Sequence, residues 1–282
     1  MEDKQPNERP IAYENTGFFS LGNQNANVYY TDLLASYSKQ LFKDLKFGIV
    51  GGYTATKSQD TYVQTETKNG LSVLNWFDLN SSISPNVRNE RYNYRNNMLR
   101  DALFGTVNFN FKDYWFIEGT LRRERISTMH PDNNVLYYPS VNSSLILSDL
   151  FQLPEVFNYA KLRGSWGIVG NYPDIYKSAL FYTQETLGVQ ANNGNAVLYT
   201  NLPTSSFGNE QIKPETKNEV EFGIETRMLN SRLGFDITYY NGLVKDQILE
   251  YTLPNSTGAS SILANVGSLR NSGWEFAING TP

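Results

Sequence analysis

Between Glu219 and Met228 the side chains alternate in character. Val220, Phe222, Ile224 and Met228 fall on one side, and Glu219, Glu221, Glu225 and Arg227 on the other. Successive residues of a strand face opposite ways, so this segment has one apolar and one charged face. A tight turn at Asn230-Ser231 leads into a second such segment, with Leu233, Phe235, Ile237 and Tyr239 set against Asp236, Thr238 and Tyr240. Long two-faced strands joined by short turns are what the wall of a membrane β-barrel requires. A soluble sheet with one solvated face has the same local pattern.

Composition narrows the choice. Aromatic residues make up 14% of the 282, with 19 Tyr and 16 Phe, which suits strands and the aromatic girdles of a lipid interface. Mean hydropathy is −0.46, and no apolar run approaches the roughly 20 residues that a spanning helix needs. That excludes a helical membrane protein but not a barrel, whose polar inner face lowers the mean. A net charge of −4 gives no basic field for nucleic acid. The chain has no Cys, so disulfide scaffolds, thiolate metal sites and a Cys nucleophile are excluded. His130 is the sole histidine, too little for an ordinary zinc site or a supported His-based triad. Glu219 and Glu221 stand about 7 Å apart on any strand, so their spacing does not indicate a glycosidase pair. No catalytic, metal or cofactor site is expected.

Strand signals recur along the whole chain. Residues 29–41, 45–56, 103–111, 115–124, 139–147, 162–168, 219–228, 233–240 and 274–279 make about nine strands. A helical turn is expected within 148–159, with Ser148 as its cap. Short connections alternate with longer ones, of which 57–98 and 171–214 are the longest. Up-and-down membrane barrels show this rhythm, with short periplasmic turns and long external loops; a Greek-key sandwich has no reason to. The charged start Met1-Glu-Asp-Lys has no apolar core, so no signal peptide is expected. The last strand has no hairpin partner, and lipid does not tolerate open strand edges, so a piece of a larger barrel is expected.

Three stretches carry a family resemblance. The first is Tyr137-Tyr-Pro-Ser-Val with Ala160-Lys-Leu-Arg-Gly-Ser-Trp-Gly-Ile-Val-Gly-Asn171. The second is Ile212-Lys-Pro-Glu-Thr, Arg232-Leu-Gly-Phe-Asp-Ile-Thr-Tyr-Tyr-Asn241 and Lys245-Asp-Gln-Ile-Leu249. The third is Asn265-Val-Gly with Asn271-Ser-Gly-Trp-Glu-Phe276. In order and spacing, these resemble the SusC/RagA family of TonB-dependent outer-membrane transporters from Leu136 onward, over about half the chain. The resemblance implies a barrel of about 22 strands filled by an N-terminal plug. It also implies a SusD-like surface lipoprotein as lid, energy from TonB–ExbB–ExbD through the missing N-terminal part, and import of oligosaccharides or peptides. Residues 1–282 would then be part of the barrel domain, with the plug and remaining strands outside it, and would not transport alone.

The expected fold is therefore all-β, a partial antiparallel up-and-down transmembrane barrel in the cell outer membrane. On that reading Glu219, Glu221, Glu225 and Arg227 face the lumen, while Val220, Phe222, Ile224, Phe235 and Ile237 face lipid. Trp115 and Trp274, read as lying near strand ends, are expected in the girdles. Trp76, Phe77, Tyr92, Tyr94 and Arg95 in the first long loop, with Tyr172 and Tyr176 in the second, are substrate-facing candidates, since aromatics among amides and Arg hold sugar rings or peptide backbones. The alternative is a soluble β-sandwich carbohydrate-binding module, which would be monodisperse without detergent.

Overall fold

The computed structural model describes residues 2–6, 17–84, 91–179, 183–187, 197–201 and 206–281. The strands in chain order are β1 (Glu2–Gln5), β2 (Phe18–Phe42), β3 (Leu45–Glu66), β4 (Arg91–Phe111) and β5 (Trp115–Ile126). Next come β6 (Val135–Ile146), a helical turn α1 (Leu147–Leu150), β7 (Phe157–Asn171), β8 (Thr183–Leu187), β9 (Val197–Asn201) and β10 (Ser206–Phe207). The last are β11 (Glu215–Met228), β12 (Leu233–Lys245), β13 (Ile248–Thr252), β14 (Ser261–Asn265) and β15 (Ser268–Gly280). Among the described residues, ten strands hydrogen-bond in the order β1-β2-β3-β4-β5-β6-β7-β11-β12-β15. Apart from the short β1, these are the nine strands that the alternation picks out. The others form small sheets inside the long connections, β8 with β9 and β10-β14-β13. By compactness the chain divides into residues 1–30 with 56–99, and residues 31–55 with 100–282.

In the first unit, β1 pairs antiparallel with the start of β2, Glu2 opposite Leu21. Its small core is made by residues 67–84 of the following connection. Leu71 is fully buried beside Ser81 and Ser82, in a bridge of Leu71 to Ser82. Thr67 exchanges hydrogen bonds with Phe19, through its N–H (2.9 Å) and its hydroxyl (3.1 Å).

In the second unit, strands β4 to β7 and β11, β12 and β15 form a continuous antiparallel ladder. The connections 112–114 and 229–232 are short, whereas 172–214 and 246–267 are long. Lys112 and Asp113 are both left-handed (φ 52° and 57°). Lys46 donates to Asp113 at 2.7 Å, and this bond, with a second from Asn110, holds that carboxyl below its ordinary range. Inside the long connections, β13 pairs antiparallel and β10 parallel with β14. Ile212, Ala259 and Leu263 are the buried apolar residues of this region.

Asn265 ties the small sheet to the root of β11. Its Oδ1 accepts from Lys213 N–H (2.8 Å), and its Nδ2 donates to the Lys213 and Asp246 carbonyls (both 2.8 Å). Glu215 accepts from the Ile248 N–H (3.2 Å). The stretches Ile212-Lys-Pro-Glu and Asn265-Val-Gly thus meet as two halves of one clamp. These bonds are solvent-accessible, so Asn265→Ala is expected to loosen the clamp by about 0.5–1.5 kcal/mol. Limited proteolysis should then cut faster within 246–267, with the wall strands unaffected; unchanged cleavage would show that water replaces the amide.

Several elements differ from expectation. The strands β2, β3 and β4 run far beyond the alternating segments, so the connection expected over 57–98 contracts to 67–90. Tyr92, Tyr94 and Arg95 are therefore strand residues of β4, not loop residues. Outside an apolar medium both strand faces are wetted, and the two-residue hydrophobic period that marks a strand disappears. The helical turn is only α1, preceded by Ile146 with no side-chain cap, so Ser148 does not cap it. The turn between β11 and β12 spans 229–232, since Met228 pairs with Leu233. Leu229, Asn230 and Ser231 are all left-handed, held by β7-side partners: Leu229 N–H donates to Val156 (3.0 Å) and Ser231 N–H to Asn158 Oδ1 (2.9 Å).

Candidate functional site

Reading the register across the second unit sorts side chains onto two faces. On one face, Gly164, Phe222, Tyr239 and Trp274 lie in a row, then Leu162, Ile224, Ile237 and Phe276, then Ala160, Thr226, Phe235 and Ile278. Phe222 is 61% exposed, Trp274 62% and Phe276 69%. The rings of Tyr239 and Trp274 lie 5.0 Å apart. The same face continues through Val141 on β6, Leu121 on β5 and Leu103 on β4, all exposed. Trp115 opens β5, as expected of a strand-end aromatic, and its Nε1 donates to Ser143 (3.1 Å). Trp274 is mid-strand, because β15 begins at Ser268. The apolar series on β5 ends at Leu121 and gives way to Arg123 and Arg125, the latter 2.9 Å from Asp101. It is a band of finite height.

The opposite face is mainly polar, with Phe104, Phe116 and Leu136 among its residues. One row reads Asn108, Glu118, Asn142, Ser165, Glu221, Tyr240; the next reads Asn110, Phe116, Ser144, Arg163, Gly223, Thr238, Glu275. A groove of about 580 Å³ runs along these rows, with Glu118, Asn142, Arg163, Ser165 and Glu221 in its lining. Glu219, Glu225 and Arg227 share the face. Glu219 pairs with Lys217, and Glu225 with Arg227 at 3.2 Å, while Arg227 also lies 5.2 Å over the Tyr159 ring. Farther along, Arg122 pairs with Glu124 (2.7 Å). The Tyr138 hydroxyl stands 3.4 Å from Glu124 and 3.0 Å from the Tyr172 hydroxyl. Burial pushes the Tyr172 phenol above its ordinary range, opposed by the hydrogen bond with Tyr138. Ser178 donates to the Thr128 carbonyl (2.8 Å), so residues 172–178 are fastened to the connection 127–134.

The sequence candidates do not form one cluster. Tyr172 is half-buried against Tyr138, and Tyr176 is exposed in a left-handed turn (φ 64°). In the first unit, Trp76 is exposed and Phe77 half-buried within 67–90. Tyr94 stacks on Tyr62 at 5.4 Å, its hydroxyl 3.4 Å from Asp60. Arg95 is exposed on β4. The backbone of Tyr92 is in β4, and its side chain lies outside the described residues. Sequence reasoning passed over Tyr62 and Asp60, which fall in a polar stretch with no apolar alternation. It also passed over Arg163 and Gly223, whose roles depend on a strand two places away. Among the described residues, no group of His, Cys, Asp and Glu is arranged to hold a metal ion, and no helix is long and apolar enough to cross a membrane.

Residues 5–281 match the family described as TonB dependent receptor-like, beta-barrel. The chain is 29% identical over 269 residues to TonB-dependent receptor P26 of Formosa agariphila, covering 94% of this chain and 26% of that protein. It is 27% identical over 200 residues to TonB-dependent receptor SusC of Bacteroides thetaiotaomicron, covering 68% of this chain and 19% of SusC. The solved RagAB peptide transporter shares the fold, with a TM-score of 0.87 over all of this chain and 30% of that one, at 18% identity. The chain thus spans about a quarter of the length of the curated relatives that match most of it.

Proposed function

The chain belongs to the TonB dependent receptor-like β-barrel family, and from that premise we propose that it forms part of the wall and surface loops of an importer. It is an outer-membrane protein of the SusC/RagA kind. The observation that carries the reading is the apolar band on one face, with Phe222, Trp274 and Phe276 bared, backed by a mainly polar face. Water would not tolerate such a band on a monomeric protein, and lipid requires it. Val220, Phe222, Ile224, Phe235 and Ile237 then contact lipid, and Glu219, Glu221, Glu225 and Arg227 face the lumen. The groove along the inner face, the Tyr62–Tyr94 stack, Trp76, Phe77, Tyr92, Arg95, Tyr172 and Tyr176 are where cargo contacts are sought. The cargo is an oligosaccharide or peptide, taken up with a SusD-like lipoprotein and energised by TonB–ExbB–ExbD. RagAB, whose fold this chain shares, is named as a peptide transporter.

The test is an immunoblot of fractionated source cells with antibody against residues 246–267. Signal in the outer-membrane fraction, extracted only by detergent, is expected. Signal in the soluble fraction would overturn the reading and favour the soluble carbohydrate-binding module.

A further inference from the structure

Arg163 of β7 does not pair with the strand beside it. Its guanidinium passes over β11 and grips β12. Nη1 and Nη2 donate to the two carboxylate oxygens of Asp236 (2.8 and 2.7 Å), and Nη2 also reaches the Thr238 hydroxyl (2.5 Å). Thr238, itself buried, donates back to Asp236 at 3.2 Å. The row explains how this is possible: Arg163 is directly opposite Gly223, and Gly223 directly opposite Thr238. A Cβ on residue 223 would stand 2.6 Å from Arg163 Nε and 3.0 Å from its Cγ and Cζ, and Arg163 atoms are the three nearest it would meet. The glycine is a gap through which one side chain crosses a whole strand.

The neighbours of that gap give it meaning. Glu221 and Glu225 stand two residues to either side of Gly223 on the same face. A strand shifted by two residues keeps its faces, so burial does not reject such a register. In either shifted register Arg163 would be directly opposite Glu221 or Glu225, an attractive cross-strand pair. Lys161 stands opposite Glu225 in the native register and would face Arg227 in the register that sets Arg163 against Glu225, so electrostatics rejects that shift and leaves the pairing of Arg163 with Glu221 as the decoy. That decoy would place the Glu221 side chain in the path of Arg163 to β12 and set Lys161 opposite Gly223 instead, and lysine lacks the planar fork that binds both carboxylate oxygens of Asp236. Only the native register threads Arg163 past Gly223 to Asp236 and leaves no carboxylate of β12 unmatched there.

We propose that Arg163, Gly223 and Asp236 form a register pin that selects the β7–β11–β12 alignment during barrel assembly. Arg163 acts as a positioning residue, and the selection is made only when β12 arrives.

The experiment uses the full-length protein, in which paired cysteines are placed on the apolar face of these strands. Leu162→Cys with Ile224→Cys reports the native register, and Leu162→Cys with Phe222→Cys reports the shift by two that sets Arg163 opposite Glu221. Asp236→Asn is expected to raise oxidative cross-linking of the shifted pair relative to the native pair on the order of tenfold, the scale of weakening hydrogen bonds to a charged group. Gly223→Leu should do the same, and adding Arg163→Ala to Gly223→Leu should restore the native cross-link, because the obstruction is to Arg163. An unchanged cross-link ratio in both single variants would overturn the pin. So would a double variant as shifted as Gly223→Leu alone, which would assign the glycine another role.

Discussion

A transporter carrying Phe222→Arg is expected to assemble poorly in the outer membrane, whereas the adjacent Glu221→Gln is expected to assemble as wild type. Phe222 is central in the exposed row Gly164, Phe222, Tyr239, Trp274, and its ring packs over Gly164, where an added Cβ would sit 3.4 Å from it. An Arg on a lipid face near the bilayer midplane costs about 2–4 kcal/mol, and at 1.4 kcal/mol per tenfold that lowers the folded population by factors of roughly 30 to 1,000. Glu221 points the other way, beside Ser165 and Tyr240, where an amide keeps shape and hydrogen bonding. The measurement is the folded band in unheated electrophoresis of outer membranes. Equal yields for the two variants would show that the faces are assigned the wrong way round.

The second large effect is expected away from the wall. Ile212 is completely buried just ahead of β11, in the region that also buries Ala259 and Leu263. Removing three carbons from such a site leaves a cavity, and Ile212→Ala should destabilise the small sheet β10-β14-β13 by about 2–5 kcal/mol. Backbone amides of β13 and β14 would then exchange hydrogen faster by a matching factor. Leu249→Ala, on the exposed side of the edge strand β13, should change exchange little, by roughly 0.5 kcal/mol or less. If the two substitutions accelerate exchange equally, Ile212 is not the core of that sheet.

Legibility of the fold follows the solvent. Where one strand face meets an apolar medium, selection on that face writes a period of two into the chain, and residues 219–228, 233–240, 103–111 and 115–124 can be read directly as strands. Where β2, β3 and β4 continue past the band, Gln, Asn, Tyr, Thr and Asp occupy both faces, and nothing local separates them from a loop. The β13–β14 hairpin fails for another reason. Its strands are short, and their order is fixed by the side chain of Asn265 gripping Lys213, far away in sequence. Motif spacing did register that pair of stretches, though not that they touch. Arg163 read as a polar residue on a polar face, because its partner is on a strand it does not adjoin. The turn at Asn230-Ser231 was readable as a turn, but its length was not, since Leu229 takes a left-handed conformation that its side chain does not advertise.

The Asn265 clamp has a mechanical consequence. Strands β11 and β12 are joined by covalent chain at residues 229–232, and at their far end Lys213, ahead of β11, is held to Asp246, beyond β12, through one amide side chain. The hairpin is thus a closed circuit. A pull on the surface sheet is shared between both strands as shear along thirteen paired rows, a loading under which ladder bonds must yield together, and cannot open them one at a time like a zip. Traction on the outer loops is therefore delivered to the wall as the movement of a stiff lever.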